Sequence, residues 1–202
     1  MAFETSVYMV ASAPSLSHAA LVILHAVNPL GVKMTTDFLE SAAEMRKADP
    51  LVAGWEQKVD GWSDVLFGLL KWGPQISVKL TKLSPTTVRV RLEISGRSLN
   101  FHYLEGRRHE EIFYAPLFQI ALGLGVRAGV GDLDLDTFKP TSEKEIEEAI
   151  WHSPQEPKYP SRLGFLRRTP DAPKPKGDFV VTERPEGFWL LEHPAFLRFL
   201  AS

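Results

Sequence analysis

Residues 75 to 104 carry the most regular pattern in the chain, because apolar and polar side chains alternate along them. Alternation with a period of two is typical of strands that bury one face. Turn residues at 83–85 and 95–97 divide the stretch, so the pattern predicts a three-stranded antiparallel meander over 75–104. The side chains predicted to share its buried face are Ile76, Val78, Leu80, Val88, Val90, Leu92, Ile94, Leu99, Phe101 and Tyr103.

Helical spacing of apolar residues, together with capping residues and prolines, predicts helices elsewhere in the chain. These helices cover residues 16–27, 37–47, 62–72, 116–124, a segment that begins with the capping-box spacing of Ser142 and Glu145, and 194–200. Further strands are expected at 3–11 and 178–182. A chain of 202 residues can bury one sizeable core. We therefore predict a single α+β domain over residues 1–202, with a central antiparallel sheet covered by helices.

Residues 153–177 interrupt this order, because they combine six prolines with six lysines and arginines. Proline has no backbone N–H and cannot extend the hydrogen bonds of a helix or of a central strand. We therefore predict an extended, Pro-rich basic loop over 153–177, and expect it to be the most mobile interior segment.

The amino-acid composition narrows the classes of partner. A net charge of −2 gives no overall field that would draw the protein to nucleic acid or to an anionic membrane. The absence of cysteine excludes disulfides and thiolate metal ligands. The apolar run at 19–27 is too short to cross a bilayer, which takes about 20 residues. We expect a cytoplasmic protein that has no membrane partner.

Negative charge is concentrated between residues 132 and 148, a stretch we call the acidic window. Seven acids and two lysines give the acidic window a net charge of −5, against −2 for the whole chain. A concentrated patch of one sign speeds the capture of a partner of opposite charge. We predict that a basic protein binds here through Asp132, Asp134, Asp136, Glu143 and Glu147, with both glutamates exposed on the helix side opposite Ile146 and Ile150.

The same acidic window permits a second interpretation. Asp132, Asp134 and Asp136 alternate with leucines, so on a strand their carboxylates would share one face and could hold magnesium or calcium. This arrangement would serve a metal-dependent phosphoryl or nucleotidyl transfer enzyme. The glycines at 125 and 129 add a superficial likeness to a nucleotidyltransferase signature, but the expected serine is missing and the spacer is too short for a helix.

A third interpretation is a nucleic-acid-binding module that uses the polar face of the meander, where Lys79, Arg89, Arg91 and His102 are predicted. The aromatic residues of the third strand are predicted on the opposite face, which separates stacking from charge and makes nucleic acid an unfavoured partner. The histidines lack zinc spacing and no nucleophile elbow is present. We therefore expect no catalytic residues, no metal and no cofactor, and a protein that is not an enzyme.

The order of elements resembles that of bacterial immunity proteins in toxin systems, in particular immunity protein family 52. The resemblance is carried by Leu39 to Trp55 (LESAAEMRKADPLVAGW), by the meander, and by the tail from Leu163 to Leu200 with its segments LGFL, GDFVVTE and LEHPAFLRFL. It covers about half of the chain and its motifs are short. The resemblance implies a non-enzymatic antidote that binds and blocks a cognate toxin, often a nuclease, inside the producing cell.

Overall fold

The computed structural model describes residues 4–35, 59–61, 63–70, 75–95, 97–99, 103, 109–133, 138–151, 162–175 and 177–200. The strands are β1 (Glu4–Ser12), β2 (Lys33–Thr35), β3 (Asp64–Leu70), β4 (Ile76–Ser84), β5 (Thr87–Ser95), β6 (Ala128–Leu133), β7 (Leu163–Arg167), β8 (Val180–Arg184) and β9 (Phe188–Glu192). The helices are α1 (Leu16–Val27), α2 (Ala115–Gly123), α3 (Glu143–Trp151) and α4 (Pro194–Leu200). A 3-10 turn (Asn28–Leu30) follows α1, and a π-helical turn (Glu110–Tyr114) leads into α2.

These strands form one sheet in the order β2-β3-β4-β5-β1-β6-β7-β9-β8. Every neighbouring pair of strands is antiparallel. The predicted α+β class with a central antiparallel sheet is therefore confirmed. β1 lies in the middle of the sheet, where it pairs with β5 on one side and with β6 on the other.

Both faces of β1 are buried, because helices pack on both sides of the sheet. Val7 and Met9 pack in the cluster that contains α1 and α2, whereas Tyr8 and Val10 pack in the cluster that contains α3. A strand that is covered on both faces reads as a continuous apolar run instead of an alternating one. We refer to the two sides of the sheet as the α1 side and the α3 side.

Helix α1 has the bounds that its sequence predicts. The Ser15 side chain caps it, since Oγ accepts the backbone N–H of His18 at 3.1 Å. Leu16, Ile23 and Val27 are fully buried at helical spacing on the inner face. Burial of an aliphatic side chain of this size contributes about 1.5 to 3 kcal/mol, so this face holds α1 against the sheet.

Two of the three strands predicted for the meander are present, and a different strand completes it. β4 and β5 have the predicted alternation, and the apolar side chains predicted for them are all buried. Their third partner is β3, which pairs with the far edge of β4. The helix predicted over 62–72 is therefore wrong. Apolar residues fill this stretch almost continuously, so helical and strand spacings both fit, and Val65, Phe67 and Leu69 are buried at strand spacing.

The third strand predicted at 99–104 is wrong over the residues that the structure describes. Residues 97–99 and Tyr103 are helical, and Phe101 lies outside the described residues. Leu99 is nevertheless fully buried, as predicted. Leu99 and Tyr103 are four positions apart, a spacing that also places two side chains on one face of a helix.

The loop predicted over 153–177 is corrected at its centre. Residues 163–167 form β7, which pairs with β6 and β9 in the interior of the sheet. The prolines flank this strand instead of lying in it, and Leu163 and Phe165 are buried. Gly129 of β6 provides the space for the Phe165 ring, since a Cβ at Gly129 would overlap it. Residues 168–175 carry neither helix nor strand, as the prediction requires.

The remaining predicted elements that fall within the described residues are present, and the structure adds three strands that were not predicted, β2, β6 and β9. The strand at 3–11, the helices at 116–124 and 194–200, and the helix after Ser142 are confirmed to within a residue or two. β8 corresponds to the strand predicted at 178–182, whereas β9 is not predicted. The helix predicted over 37–47 lies outside the described residues. No helix in the described ranges is long and apolar enough to cross a membrane.

Candidate functional site

The C-terminal part of the acidic window forms α3, an amphipathic helix on the α3 side of the sheet. Its inner residues Ile146, Ala149 and Ile150 are buried against β1 and β6. Its start is capped, because Ser142 Oγ accepts the backbone N–H of Glu145 at 3.3 Å. Acidic side chains in the first turn also complement the positive end of the helix dipole. The sequence thus places negative charge on the outer side of α3.

The two glutamates predicted to bind a partner are half-buried instead of exposed. Glu143 Oε1 accepts the backbone N–H of Arg127 at 2.9 Å, so this carboxylate fixes the turn before β6. Glu147 lies one turn further along α3 and lines a groove. The exposed acids of the helix are Glu145 and Glu148, of which Glu148 is 3.5 Å from the Lys144 ammonium.

The structure brings only part of the predicted acidic set into view. The backbone of Asp132 lies in β6, opposite Ser6 of β1. The side chain of Asp132, and the whole of Asp134 and Asp136, fall outside the described residues. Among the residues that are described, no three His, Asp or Glu side chains form a group that could hold a metal ion. The metal site stays a prediction.

A groove of about 240 Å³ runs beside α3, and we call it the α3 groove. Its walls come from α3, from the turn before β6, from β7 and the loop after it, and from β9. The residues that line it are Arg127, Glu147, Trp151, Leu166, Arg167, Thr169, Pro173 and Trp189. The groove therefore combines two indole rings with two guanidinium groups and one carboxylate.

The two tryptophans of the α3 groove differ in exposure. Trp151, at the end of α3, leaves 38% of its surface in solvent and is one of the few exposed large apolar residues in the described chain. Trp189 on β9 is half-buried, and its indole Nε1 is buried with no acceptor among the described residues. An indole N–H can only donate, so Trp189 offers an unused donor.

The two arginines of the α3 groove are exposed. The guanidinium group of Arg167 lies 5.1 Å from the centre of the Phe188 ring, which orients it at the end of β7. Neither Arg127 nor Arg167 has a carboxylate partner for its side chain within the described ranges. Both guanidinium groups can therefore bind an external acceptor.

The basic face of the meander is partly neutralised within the protein. The Arg91 guanidinium forms an ion pair with Glu93, donates to Ser6 Oγ at 3.3 Å, and lies over the Tyr8 ring. Lys79 is 4.0 Å from Asp64. His102, the fourth residue of this predicted nucleic-acid surface, lies outside the described residues. Two of its cations thus already have acidic neighbours.

A polar network on the α1 side joins the π-helical turn to β8 and β9, and we call it the Tyr114 network. It consists of Glu110, Tyr114, Arg184, Glu186 and Glu192. The Tyr114 hydroxyl donates to Glu192 Oε1 at 2.6 Å. Burial raises the pKa of Tyr114 well above 10, and the neighbouring Glu192 raises it further. Burial also raises the pKa of the Glu192 carboxyl.

Arg184 lies at the centre of the Tyr114 network. Its guanidinium is 2.7 Å from Glu110 Oε2 and 3.5 Å from Glu186 Oε2, and it lies 5.0 Å from the centre of the Phe118 ring. Beside it, burial lowers the pKa of His109 below its ordinary value of 6.5. The oppositely charged groups of the Tyr114 network therefore face each other. Their contacts hold the π-helical turn against β8 and β9.

Sequence reasoning missed the residues that give the α3 groove its character. Trp151 follows Glu147 by four positions, a spacing that places it on the same side of α3 and outside the buried stripe. This signal was available. Trp189 and Arg167 could not be placed, because β9 was not predicted and β7 was assigned to a loop.

Comparisons with known proteins do not identify a family for this chain. No family model matches the chain, and no curated protein matches it. A solved structure of the Pseudomonas aeruginosa T6SS protein PA0821 is similar, with a TM-score of 0.43 and 9% sequence identity over 98% of this chain and 74% of that one. A similarity of this size identifies neither a family nor a function. The resemblance to immunity protein family 52 therefore stays a prediction.

Proposed function

We propose that this protein acts by stoichiometric binding to another protein, with α3 and the α3 groove at the centre of the binding surface. The observation that carries the proposal is Trp151, a large indole that is 38% exposed at the rim of a groove flanked by Arg127 and Arg167. The few residues that supply most of the binding energy at protein interfaces are enriched in tryptophan, tyrosine and arginine. An indole held on a rigid helix loses little entropy when a partner covers it.

The charges around Trp151 favour a partner that presents a basic surface. Glu145 and Glu148 are exposed on α3, and Glu147 lies at the groove. Such charges steer the encounter, whereas a buried aromatic anchor holds the complex. The acidic residues that we propose for contact with the partner are Asp132, Asp134, Asp136 and Glu147. Glu143 was also predicted to contact the partner. We leave it out of this set, because its carboxylate accepts the backbone N–H of Arg127 and so holds the turn before β6.

The resemblance to immunity proteins supports a toxin as that partner. On this proposal the protein is an antidote that blocks a basic toxin domain, such as a nuclease, by covering it. An antidote of this kind needs no catalysis of its own. Its inhibitory effect should therefore saturate at one molecule of antidote for each molecule of toxin.

Site-specific crosslinking tests the proposal. A photoreactive phenylalanine analogue replaces Trp151 in one variant and Leu122 in a matched control, since these residues are exposed to nearly the same extent, 38% and 40%. We expect position 151 to capture one host protein, identified by mass spectrometry, and position 122 not to capture it. Light scattering on the purified complex should give equal numbers of both chains. Equal capture from both positions, or capture from neither, would contradict this binding surface.

A further inference from the structure

We infer that the α3 groove receives an acidic segment of the partner protein, in which one large apolar side chain adjoins a carboxylate. The inference rests on the proposed function and adds the chemistry that the groove recognises. It is carried by the size of the groove, by the mixture of apolar walls and unpaired donors, and by the difference in charge between the groove and the outer side of α3.

The size of the α3 groove suits a side chain. Its volume of about 240 Å³ lies below the range of roughly 300 to 1,000 Å³ that is typical of small-molecule sites. It exceeds the cavity of about 150 Å³ that holds benzene in an engineered protein core. Leu166, Pro173 and Trp189 supply apolar walls. One phenylalanine, tyrosine or leucine side chain of a partner would therefore be accommodated.

The polar groups around these walls favour an acceptor. Arg127 and Arg167 are exposed and have no carboxylate partner within the described residues, and Trp189 Nε1–H has no acceptor there. Among the described residues, Glu147 is the one carboxylate that lines the groove. Guanidinium groups bind carboxylates through paired, charge-assisted hydrogen bonds. Within the described part of the groove two guanidinium groups thus face one carboxylate, and a carboxylate beside the apolar side chain would pair with them.

The α3 groove and the outer side of α3 favour opposite charges on the partner. The outer side of α3 carries exposed glutamates and favours a basic surface, whereas the groove favours an acidic segment. A partner must then present an acidic segment to the groove and a basic surface to the outer side of α3. Complementarity of two signs rejects incorrect orientations, because a reversed partner would bring like charges together.

Three peptides test this inference on the full chain. Each is an N-acetylated, C-amidated tripeptide with phenylalanine in the centre, flanked by two glutamates, two glutamines or two lysines. They are titrated against ¹⁵N-labelled protein, and the indole Nε1–H resonances are followed by NMR. The chain has five tryptophans, so the resonance of Trp189 is assigned as the signal that Trp189→Phe loses. If that variant does not fold, it is assigned as the signal that Trp55→Phe, Trp62→Phe, Trp72→Phe and Trp151→Phe all retain.

We expect the acidic peptide to shift the Trp189 resonance and to bind at least about tenfold more tightly than the neutral and basic peptides, because only it supplies the carboxylates. The double variant Arg127→Gln/Arg167→Gln should remove this preference. The matched control Arg89→Gln, on the polar face of β5, should retain it.

Equal binding of the three peptides, preference for the basic peptide, or absence of a shift would overturn the inference. A concentration-dependent dimer that is lost in Trp151→Ala would also overturn it, because a second copy of the chain would then occupy the groove. These outcomes are separate from the crosslinking result. Crosslinking at position 151 without a preference for acidic peptides would leave the proposed function standing and reject only the inferred segment.

Discussion

The α3 groove and the Tyr114 network contain the same kinds of side chain, but they differ in where the charges find their partners. In the Tyr114 network, Arg184 lies between two glutamates and over an aromatic ring. In the α3 groove, Arg127 and Arg167 lie beside two indoles, and neither has a carboxylate partner among the described residues. Composition alone would treat both regions as candidate sites. Internal pairing makes the first a stabilising element and leaves the second open to another molecule.

The largest expected effect lies beneath the Tyr114 network. Phe118 is fully buried, and its ring packs 5.5 Å from the centres of both Phe165 and Phe188. Phe118→Ala should lower the free energy of unfolding by about 3 to 5 kcal/mol, measured by denaturant titration. Leu122→Ala on the same helix is the control, because Leu122 is exposed and should cost far less. Similar losses in both variants would contradict the packing described for α2.

A smaller loss is expected from the hydroxyl group of Tyr114. Tyr114→Phe keeps the ring and removes the 2.6 Å bond to Glu192, so it should cost about 1.5 to 3 kcal/mol, the range for hydrogen bonds to charged groups. A double-mutant cycle with Glu192→Gln measures the coupling between the two side chains. Additive effects in the cycle would show that the contact between Tyr114 and Glu192 does not stabilise the protein.

Charge reversal on α3 tests the binding surface that we propose around the α3 groove. Glu147→Lys/Glu148→Lys places lysines in the second half of the helix, where the helix dipole tolerates them, so folding should be retained. Association with the captured partner should slow about fivefold at low salt, and the difference should shrink as salt is added. Asp178→Lys is the control, since Asp178 is exposed near β8. Equal slowing in both variants would argue against a specific role for α3.

Stability should respond least to the residue on which the proposed function depends. Trp151→Ala removes a side chain that is 38% exposed, so the free energy of unfolding should fall by about 1 kcal/mol, which is less than for Tyr114→Phe. Thermal and denaturant unfolding measure this change. A loss as large as that of Tyr114→Phe would mean that Trp151 belongs to the core, and the contrast between the two regions would disappear.

The smallest expected effect is a change in the stability of the Tyr114 network with pH. Burial raises the pKa of Glu192 above its ordinary value of 4.5, so the folded protein holds this proton more tightly than the unfolded chain. The contribution is complete below pH 4.5 and is lost as the pH rises through the raised pKa. Wild-type protein should therefore lose stability relative to Glu192→Gln over this range. Parallel stability curves for the two proteins would exclude this titration.

The elements that sequence predicts well are those in which one local signal dominates. α1 combines a serine cap with an apolar stripe, and β4 and β5 alternate without interruption. The apolar run of β3 fits the helical and the strand period alike, so the pattern wrongly predicts a helix there. β7 was hidden by the prolines on either side of it. In both cases the partner strands, which lie elsewhere in the chain, decide the outcome.

The candidate site was predictable only in part, for a related reason. The acidic residues of α3 stand together in the sequence, and their charge could be read directly. The α3 groove instead joins Arg127, Trp151, Arg167 and Trp189, which belong to four separate elements. Their proximity depends on the pairing of β6, β7 and β9, which local patterns do not determine.

The central position of β1 has a consequence for the timing of protein synthesis. β1 precedes every other described strand in the chain, but its two neighbours are β5 and β6, which end at Ser95 and Leu133. A ribosome that adds about 5 to 20 residues per second needs on the order of 10 s to reach that point. Until Ser95 has been added, the apolar strand has no hydrogen-bonded neighbour in the sheet, and its second neighbour is complete only at Leu133. An unpaired apolar strand can pair with other chains, so the unfinished protein is prone to aggregation until β5 has been made.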